Sequence, residues 1–345
     1  MRDVARLAGV SVATVSAVVN GSVPVSAERT RKVRDAMDAL DYHPDHVARS
    51  LKTGRTNVIA MVIPDITNVF FPELVRGAEE AANQAGYSVI LCDSNEDPAQ
   101  ERRHLDTLFA RRVDGVLIAC TDASTAYESL VRRRFPIVFV DRLPQGLAVS
   151  AVSTDNVDAG YQAARHLIDL GHERIAIVTG NLRLSTHAGR LEGFRRAMQE
   201  HHLPVRDEYV RVGDLQASTG YRFGLELLGL DPPPTGLISS NNRMLLGLMR
   251  AIRELSLPCP EQVSVIGFDD PVWTGNFSPR LTTLAQPTYE IGRCAFAMLQ
   301  RRMRGEPEAP GVGEVSLLKA ELRVRESTAA SPSREGEMLR PAVSI

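Results

Sequence analysis

The chain has 345 residues and a formal net charge of −2, with 43% hydrophobic and 24% charged side chains. This length predicts two to three domains, and the apolar share is typical of a soluble protein with substantial cores. No apolar stretch reaches signal-peptide or membrane-spanning length, so we expect a cytoplasmic protein. The four cysteines and eight histidines show no metal-ligand spacing, and we predict neither a metal site nor a cofactor.

The first twenty residues have the pattern of two short helices joined by a tight turn. Residues 3–8 predict the first helix, Gly9 can supply the left-handed backbone of the turn, and Ser11 can cap a second helix over residues 12–20. In a helix-turn-helix the second helix enters the major groove of DNA. A helical hairpin without a nucleic-acid role has the same local signals, so the pattern alone leaves both interpretations open.

A third helix and an uneven charge distribution favour the DNA-binding interpretation. Ser26 is the predicted N-cap and Glu28 lies in the first turn. The apolar positions at helical spacing are Val33, Ala36, Met37 and Leu40. Residues 1–56 contain nine basic and six acidic side chains, so they carry +3 while the remainder carries −5. A basic module on an acidic body predicts DNA binding that weakens as the salt concentration rises.

Four stretches of the N-terminus, residues 3–11, 13–16, 47–51 and 53–56, resemble the headpiece and hinge of the lactose repressor family of bacterial transcription regulators. The resemblance extends over roughly residues 3 to 326. It implies that residues 44–56 fold as a hinge helix only on the operator, where Leu51 enters the minor groove as an apolar wedge. An ordinary core leucine is the alternative interpretation of Leu51. Relatives usually carry a further short segment before Asp3, so the natural start could lie upstream.

The helix pattern and the resemblance together give ten candidate DNA-contacting residues. They are Ser11, Val12, Ala13, Thr14, Ser16, Ala17, Asn20, Ala48, Leu51 and Lys52. The family's base-reading positions are Val12, Ala13 and Ala17, and relatives often place arginine at the last of these. Alanine and valine can contact thymine methyl groups, but they cannot form the bidentate bonds that distinguish guanine. We therefore expect operator discrimination to depend more on the hinge and on DNA deformability.

After residue 56 the sequence alternates short apolar strands with amphipathic helices. The predicted strands are 58–63, 88–92, 115–119, 137–140, 174–179, 236–239 and 263–268. The predicted helices are 72–85, 99–111, 125–134, 155–170, 187–201, 218–228 and 244–255. This alternation predicts an α/β protein with two doubly wound parallel-sheet lobes. The resemblance implies a fold like a periplasmic sugar-binding protein, with three crossovers between lobes that use residues 282–304 and 315–324.

We accordingly divide the chain into four predicted segments. They are a helix-turn-helix headpiece at 1–43, a hinge helix and linker at 44–56, a two-lobed effector-binding and dimerisation domain at 57–326, and a flexible tail at 327–345. The tail has no leucine heptads, which argues against a tetramer built on a C-terminal coiled coil.

Polar and aromatic side chains follow several predicted strands, where ligands of such folds bind. The candidate effector-binding residues are Asn68, Phe70, Phe71, Asp141, Arg190, Asn241 and Asp269. The resemblance assigns effector contacts to Asp141, Arg190, Asn241 and Asp269. An aromatic face beside charged hydrogen-bonding groups favours a sugar or sugar derivative. Alternatively, Asp269 and Asp270 cap loops and the two phenylalanines are core residues.

A purine effector is the rival hypothesis, because Phe70 and Phe71 align with an aromatic pair of the purine-binding branch. That branch carries an arginine where this sequence has Leu184 and a further aromatic residue where it has Leu215. Without that arginine and that aromatic residue, the site has one hydrogen-bonding group and one stacking group fewer for a purine, which weakens the purine hypothesis. Arg183, next in sequence, could replace the missing arginine.

We predict a dimeric transcriptional repressor that binds double-stranded operator DNA and responds to a small effector, without enzymatic activity and without membrane association. A solute-binding receptor would share the lobes, but it would need an export signal and no helix-turn-helix. An enzyme would need a nucleophile with a base, a phosphate-binding loop or a metal cluster, and the sequence shows no such pattern.

Overall fold

The computed structural model describes residues 1–20, 23–42, 55–121, 127–128, 130, 135–144, 146–306 and 313–332. The chain forms two compact units, Met1–Thr56 and Asn57–Ile345. Most of the predicted hinge and of the predicted helix at 125–134 lies outside the described residues. None of the helices that the structure describes is long and apolar enough to span a bilayer.

The N-terminal unit contains three helices around a small apolar core. Their bounds are Arg2–Ala8 (α1), Val12–Asn20 (α2) and Ala27–Ala39 (α3). Val4, Val15 and Val33, one from each helix, are fully buried and pack in one cluster. Because each helix is too short to be stable alone in water, this shared core holds the unit together.

The turn between α1 and α2 has the predicted chemistry. Gly9 adopts a left-handed conformation with φ of 64° and ψ of 36°. The backbone N–H of Thr14 donates to Ser11 Oγ at 3.1 Å, so Ser11 caps α2 as predicted. Ser26 precedes α3 as predicted, but its side chain makes no capping hydrogen bond. Glu28 instead accepts a hydrogen bond from Lys32 Nζ at 2.8 Å, one helical turn away.

The larger unit consists of two lobes, each built on a six-stranded sheet. The strands are Val58–Ile63 (β1), Ser88–Asp93 (β2), Gly115–Ile118 (β3), Ile137–Val140 (β4), Ala151–Thr154 (β5), Ile175–Thr179 (β6), Val210–Val212 (β7), Gly236–Ser239 (β8), Ser264–Phe268 (β9), Thr282–Ala285 (β10), Val315–Leu318 (β11) and Glu321–Arg323 (β12). The first sheet has the order β11-β5-β4-β3-β1-β2 and the second β12-β10-β9-β8-β6-β7. All described pairings are parallel except that of β12 with β10.

Helices cover the faces of both sheets, as the doubly wound prediction requires. They are Phe70–Gln84 (α4), Pro98–Ala110 (α5), Asn156–Asp169 (α6), Ser185–Glu200 (α7), Ala217–Leu228 (α8), Asn242–Glu254 (α9) and Thr288–Met303 (α10). Fully buried residues of the sheets, such as Ile59 and Ile177, pack against these helices. The predicted fold class is confirmed for the headpiece and for both lobes.

The chain passes between the lobes three times, as the resemblance implied. It enters the second lobe after β5, returns to the first lobe after β10, and crosses again between β11 and β12. The sequence analysis missed β5 and β7, and it gave β10, β11 and β12 only as parts of two late crossover segments and not as strands. β7 has only three residues, and none of them is buried, so it lacks the continuous apolar run that marks a buried strand. β5 is only four residues long and ends in Ser153 and Thr154, which weakens its apolar signal.

Glycines allow the helices that carry the cleft residues to pack closely. A Cβ atom at Gly160 of α6 would lie 2.1 Å from the backbone oxygen of Arg190 in α7. A Cβ atom at Gly193 of α7 would lie 1.9 Å from the backbone oxygen of Val157 in α6. These two close approaches fix the axial position of α7, and with it the position of Arg190, against the rest of the lobe.

Residues 327–332, the first part of the predicted flexible tail, pack on the second lobe, and the rest of that tail lies outside the described residues. The side chain of Ser327 is fully buried, and its Oγ donates to the backbone oxygen of Val265 at 2.7 Å. His172 Nε2 lies 3.1 Å from the backbone oxygen of Ala329, and the N–H of Ser331 donates to the backbone oxygen of Leu170 at 2.8 Å. Composition suggested flexibility, but these polar groups have partners on the second lobe that only the folded chain supplies.

Candidate functional site

A cavity of about 40 Å³ lies between the two lobes, at the carboxyl ends of their strands. It is lined by Asn68, Phe70, Phe71, Asp141, Arg142, Thr186, His187, Arg190, Leu215, Asn241, Asp269 and Gln286. All seven residues singled out from the sequence as effector-binding candidates therefore line this one cavity, four from the first lobe and three from the second. Their role in binding remains a prediction.

Arg190 is the most deeply placed cation of the cavity, with only 3% of its surface exposed. Its Nε donates to Asn156 Oδ1 at 2.8 Å, and its Nη1 donates to the backbone oxygen of Ser240. The guanidinium also lies 4.2 Å from the ring centre of Phe268. These contacts fix the orientation of the planar guanidinium group. Within the described part of the chain, its Nη2 donates no hydrogen bond and no carboxylate lies within 4 Å of the guanidinium.

Asp141 supplies the opposite charge from the first lobe. The residue is 6% exposed, and its carboxylate accepts no hydrogen bond from the residues that the structure describes. The nearby Nε of Arg142 lies 3.9 Å from its Oδ2. Burial raises the pKa of Asp141 to about 6, although the charges of Arg142 and Arg190 act in the opposite direction. Asp141 thus offers unused acceptor oxygens to the cavity, and Arg190 offers an unused N–H donor.

Asp269, in contrast, is tied into a hydrogen-bond network. Its Oδ2 accepts from Asn242 Nδ2 and its Oδ1 from Gln286 Nε2, both at 2.6 Å. Gln286 Oε1 in turn accepts from Thr154 Oγ1 at 2.7 Å. Asp141 and Asp269 both have left-handed backbones, with φ of 61° and 66°. This region suits aspartate better than most residues, and it turns the chain sharply at the strand ends.

The two neighbouring asparagines after β8 have different partners. Asn241 caps α9 by accepting from the N–H of Met244 at 2.8 Å, and its Nδ2 donates to the backbone oxygen of Leu215 at 3.2 Å. Both polar groups of Asn241 therefore have partners, and its part in the cavity is to shape the wall. Asn242, which the sequence analysis did not select, makes the contact with Asp269.

The aromatic pair fits both interpretations made from the sequence. Phe70 and Phe71 pack edge to face at 5.1 Å, belong to the first-lobe core and also line the cavity. Arg142 lies 6.0 Å from the ring centre of Phe71 and donates two hydrogen bonds of 2.8 Å to Glu96. Burial alone would lower the pKa of Arg142, but the contact with Glu96 outweighs it and raises that pKa.

Five cavity residues were missed as effector-binding candidates by the sequence analysis: Arg142, Thr186, His187, Leu215 and Gln286. Thr186 and His187 precede Arg190 by four and three residues on α7, a helical spacing that could have indicated them. Burial lowers the pKa of His187 well below its usual value, and its Nδ1 lies 3.1 Å from Ser240 Oγ. His187 is therefore neutral at pH 7.

In the headpiece, α2 presents its first turn to solvent. Val12 and Ala13 are exposed, whereas Val15 on the opposite side is fully buried. Ala17 and Ser16 are partly buried, and the hydroxyl groups of Ser11 and Thr14 lie 2.9 Å apart. An exposed N-terminal turn is the part of a recognition helix that contacts base edges. The side chain of Asn20 and the predicted hinge contacts Ala48, Leu51 and Lys52 lie outside the described residues.

The comparisons with known proteins agree with this arrangement. The model of the lacI family of bacterial regulatory proteins matches residues 1–45, and that of the periplasmic binding protein-like domain matches residues 164–328. The ribose operon repressor of Escherichia coli (strain K12) is 38% identical over 305 residues, which cover 88% of this chain and 92% of that protein. The chain belongs to the lacI family.

Other lacI-family members extend the similarity over nearly the whole chain. The HTH-type transcriptional repressor PurR of Vibrio parahaemolyticus serotype O3:K6 (strain RIMD 2210633) is 35% identical over 317 residues, covering 91% of this chain and 95% of that protein. The crystal structure of the Lac repressor dimer bound to operator and the anti-inducer ONPF superposes with a TM-score of 0.84 and 29% identity. That superposition covers 95% of this chain and 98% of the other, so it includes both the headpiece and the lobes.

Proposed function

We propose that this lacI-family protein is a cytoplasmic, dimeric transcriptional repressor whose affinity for operator DNA is controlled by a small sugar bound between the lobes. The pair Asp141 and Arg190 is the observation that most supports a sugar effector. Two buried groups of opposite charge line one cavity, and each has hydrogen-bonding capacity that the described residues do not use. A polyhydroxylated ring can accept from one of them and donate to the other.

The walls of the cavity favour a sugar over a purine. Leu215 lines the cavity where the purine hypothesis needs an aromatic ring. The purine-binding branch carries an arginine at the position of Leu184. Arg183 is exposed and is not among the lining residues, so it does not take the place of that arginine. The name of the ribose operon repressor is consistent with a pentose.

The proposed control acts through the arrangement of the lobes. An effector that binds one arrangement more tightly than the other shifts the protein towards it, by no more than the difference in binding free energy. In the dimer this shift changes the spacing of the two segments at 44–56, and hence their ability to fold together on the operator. The exposed first turn of α2 contacts the major groove, and Leu51 enters the minor groove.

A titration of DNA binding tests this proposal. The probe is a fluorescent duplex from the control region of the protein's own gene, measured by anisotropy with monosaccharides including D-ribose, a disaccharide and the purine bases. We expect a monosaccharide to change the apparent operator affinity at least tenfold, and to be recovered unchanged by chromatography. Conversion of the sugar would instead indicate an enzyme. A response to purine bases alone would overturn the sugar assignment, and failure to bind the duplex would overturn the repressor assignment.

The buried carboxylate of Asp141 predicts a specific pH dependence of stability. Its folded-state pKa of about 6 lies above the ordinary aspartate pKa of 3.8, so its contribution to stability is fully present below pH 4 and is lost as pH rises towards 6. We expect Asp141→Asn to stabilise the body relative to wild type at pH 7 by about 3 kcal/mol, and to have little effect at pH 4. Calorimetric melting temperatures at pH 4, 5, 6 and 7 measure the difference.

Asp270 provides a control of opposite sign. Burial alone would raise its pKa, but hydrogen bonds from Arg325, Thr274 and Arg323 outweigh burial and hold that pKa well below its usual range. Asp270→Asn should therefore destabilise the body at pH 7, and by a nearly constant amount between pH 5 and 7. If the effect of Asp141→Asn were equally constant over that range, the raised pKa of Asp141 would be wrong.

A further inference from the structure

Two neighbouring residues at the start of α9 reach across the cleft. Arg243 Nη2 lies 2.7 Å from Asp65 Oδ2 and also donates to Thr67 Oγ1 at 2.5 Å. Asn242 Nδ2 donates to Asn68 Oδ1 at 2.9 Å while it also contacts Asp269. The helix α9 belongs to the second lobe, and residues 65–68 form the first-lobe loop after β1. Consecutive side chains thus tie one helix end to one loop of the other lobe.

The position of Arg243 is explained by its partner across the cleft and not by its own helix. The N-terminus of a helix carries a partial positive charge, so a cation in the first turn is disfavoured there. Asp65 supplies the compensating charge, and its Oδ1 accepts from both the N–H and the hydroxyl of Thr67, at 2.8 and 2.6 Å. The loop is therefore arranged to present a carboxylate and a hydroxyl to the guanidinium.

The ion pair is also better shielded than an exposed pair within a single helix of the same lobe. The side chains of Arg243 and Asp65 are 24% and 17% exposed, whereas those of Arg222 and Glu226, one turn apart on α8, are 59% and 41% exposed. Solvent and salt screen a half-buried pair less than an exposed one. Breaking it should therefore have a measurable effect on the arrangement of the lobes.

We propose that Arg243, Asp65 and Thr67, together with the hydrogen bond from Asn242 to Asn68, form a clasp that holds the cleft closed in the ligand-free protein. The clasp sets the ratio of closed to open molecules, and it must open before a molecule can enter or leave the cavity. The clasp acts in the same way whatever the chemical identity of the effector.

Hydrogen exchange at Leu143 reports opening without touching the clasp. The backbone N–H of Leu143, in the first lobe, donates to Ser185 Oγ of the second lobe at 2.9 Å, so this amide is protected only while the cleft is closed. Deuterium uptake of the peptide that contains Leu143 is measured by mass spectrometry on the full-length, ligand-free protein. We expect Arg243→Ala to accelerate this exchange on the order of tenfold, because a half-buried ion pair contributes more than an exposed pair and less than a fully buried one.

Two further variants and a matched control make the test decisive. Asp65→Asn removes the charge but keeps an oxygen for the turn with Thr67, and it should accelerate exchange to the same extent. The double variant Asp65→Asn with Arg243→Ala should add nothing to either single change, because both break the same contact. Arg250→Ala, on the same helix, removes an arginine that packs on Tyr221 of the same lobe, and it should leave exchange unchanged. Unchanged exchange in Arg243→Ala, or equal acceleration in Arg250→Ala, would overturn the clasp.

Discussion

Arg190→Ala is expected to weaken effector binding by about a hundredfold or more while operator binding without effector stays at the wild-type level. The guanidinium is the buried cation of the second-lobe wall, held by Asn156, the backbone of Ser240 and the ring of Phe268. Its removal takes away a charged donor and leaves the Asp141 carboxylate with one cation fewer nearby. Calorimetric titration with the sugar identified by the operator assay measures the loss.

Two companion variants separate the role of Arg190 from general damage to α7. Arg195→Ala removes an exposed arginine five residues along the same helix, and we expect normal binding. Arg190→Lys keeps a positive charge but loses the planar fork, so it should bind with intermediate affinity. Wild-type affinity in Arg190→Ala would remove this residue from the site, and equal loss in Arg195→Ala would indicate a damaged helix.

Gly160→Ala is expected to destabilise the second lobe strongly and to disturb the effector site at the same time. The added Cβ would lie 2.1 Å from the backbone oxygen of Arg190, which belongs to a helix and cannot rotate away as a side chain can. Separating α6 from α7 should lower the free energy of unfolding by about 3 kcal/mol, the upper range for overpacking. Because the clash is with Arg190 itself, effector binding should weaken as well. Thermal unfolding and calorimetric titration measure the two effects.

Gly275→Ala is the matched control for this change. Its added Cβ would meet no atom within 4 Å, and its backbone does not have a positive φ. We expect a melting temperature equal to or slightly above wild type, because alanine restricts the unfolded chain more than glycine does. If Gly160→Ala melted like Gly275→Ala, the close packing of α6 on α7 would be wrong.

The sequence was most informative where a side chain directly follows a strong strand. Asp141 and Asp269 each come immediately after a fully buried strand, β4 and β9, so their placement at the cleft followed from the strand pattern. The turn at Gly9 and the cap at Ser11 were equally local, since each depends on residues a few positions apart. Such short-range signals can be recognised in the sequence without knowledge of tertiary contacts.

The remaining site residues depend on contacts that the sequence does not encode locally. Gln286 meets Thr154 across 132 positions, after the chain has crossed between the lobes, so neither residue carries a signal of the other. The resemblance selected Asn241, whereas its neighbour Asn242 makes the contact with Asp269. Arg243 and Asp65 are far apart in the chain and belong to different lobes, so no local signal indicates their contact.

The first lobe is built from segments that are far apart in the chain, and this affects its folding during biosynthesis. Its central sheet and α4 leave the ribosome early, but α10, whose Ile291, Phe296 and Leu299 complete the core, and β11, which pairs with β5, emerge only after nearly all of the second lobe. Until then the nascent first lobe exposes the apolar face that α10 covers in the folded protein. Ribosome stalling or premature termination within this interval should therefore yield an aggregation-prone fragment, and a chaperone requirement should be greatest there.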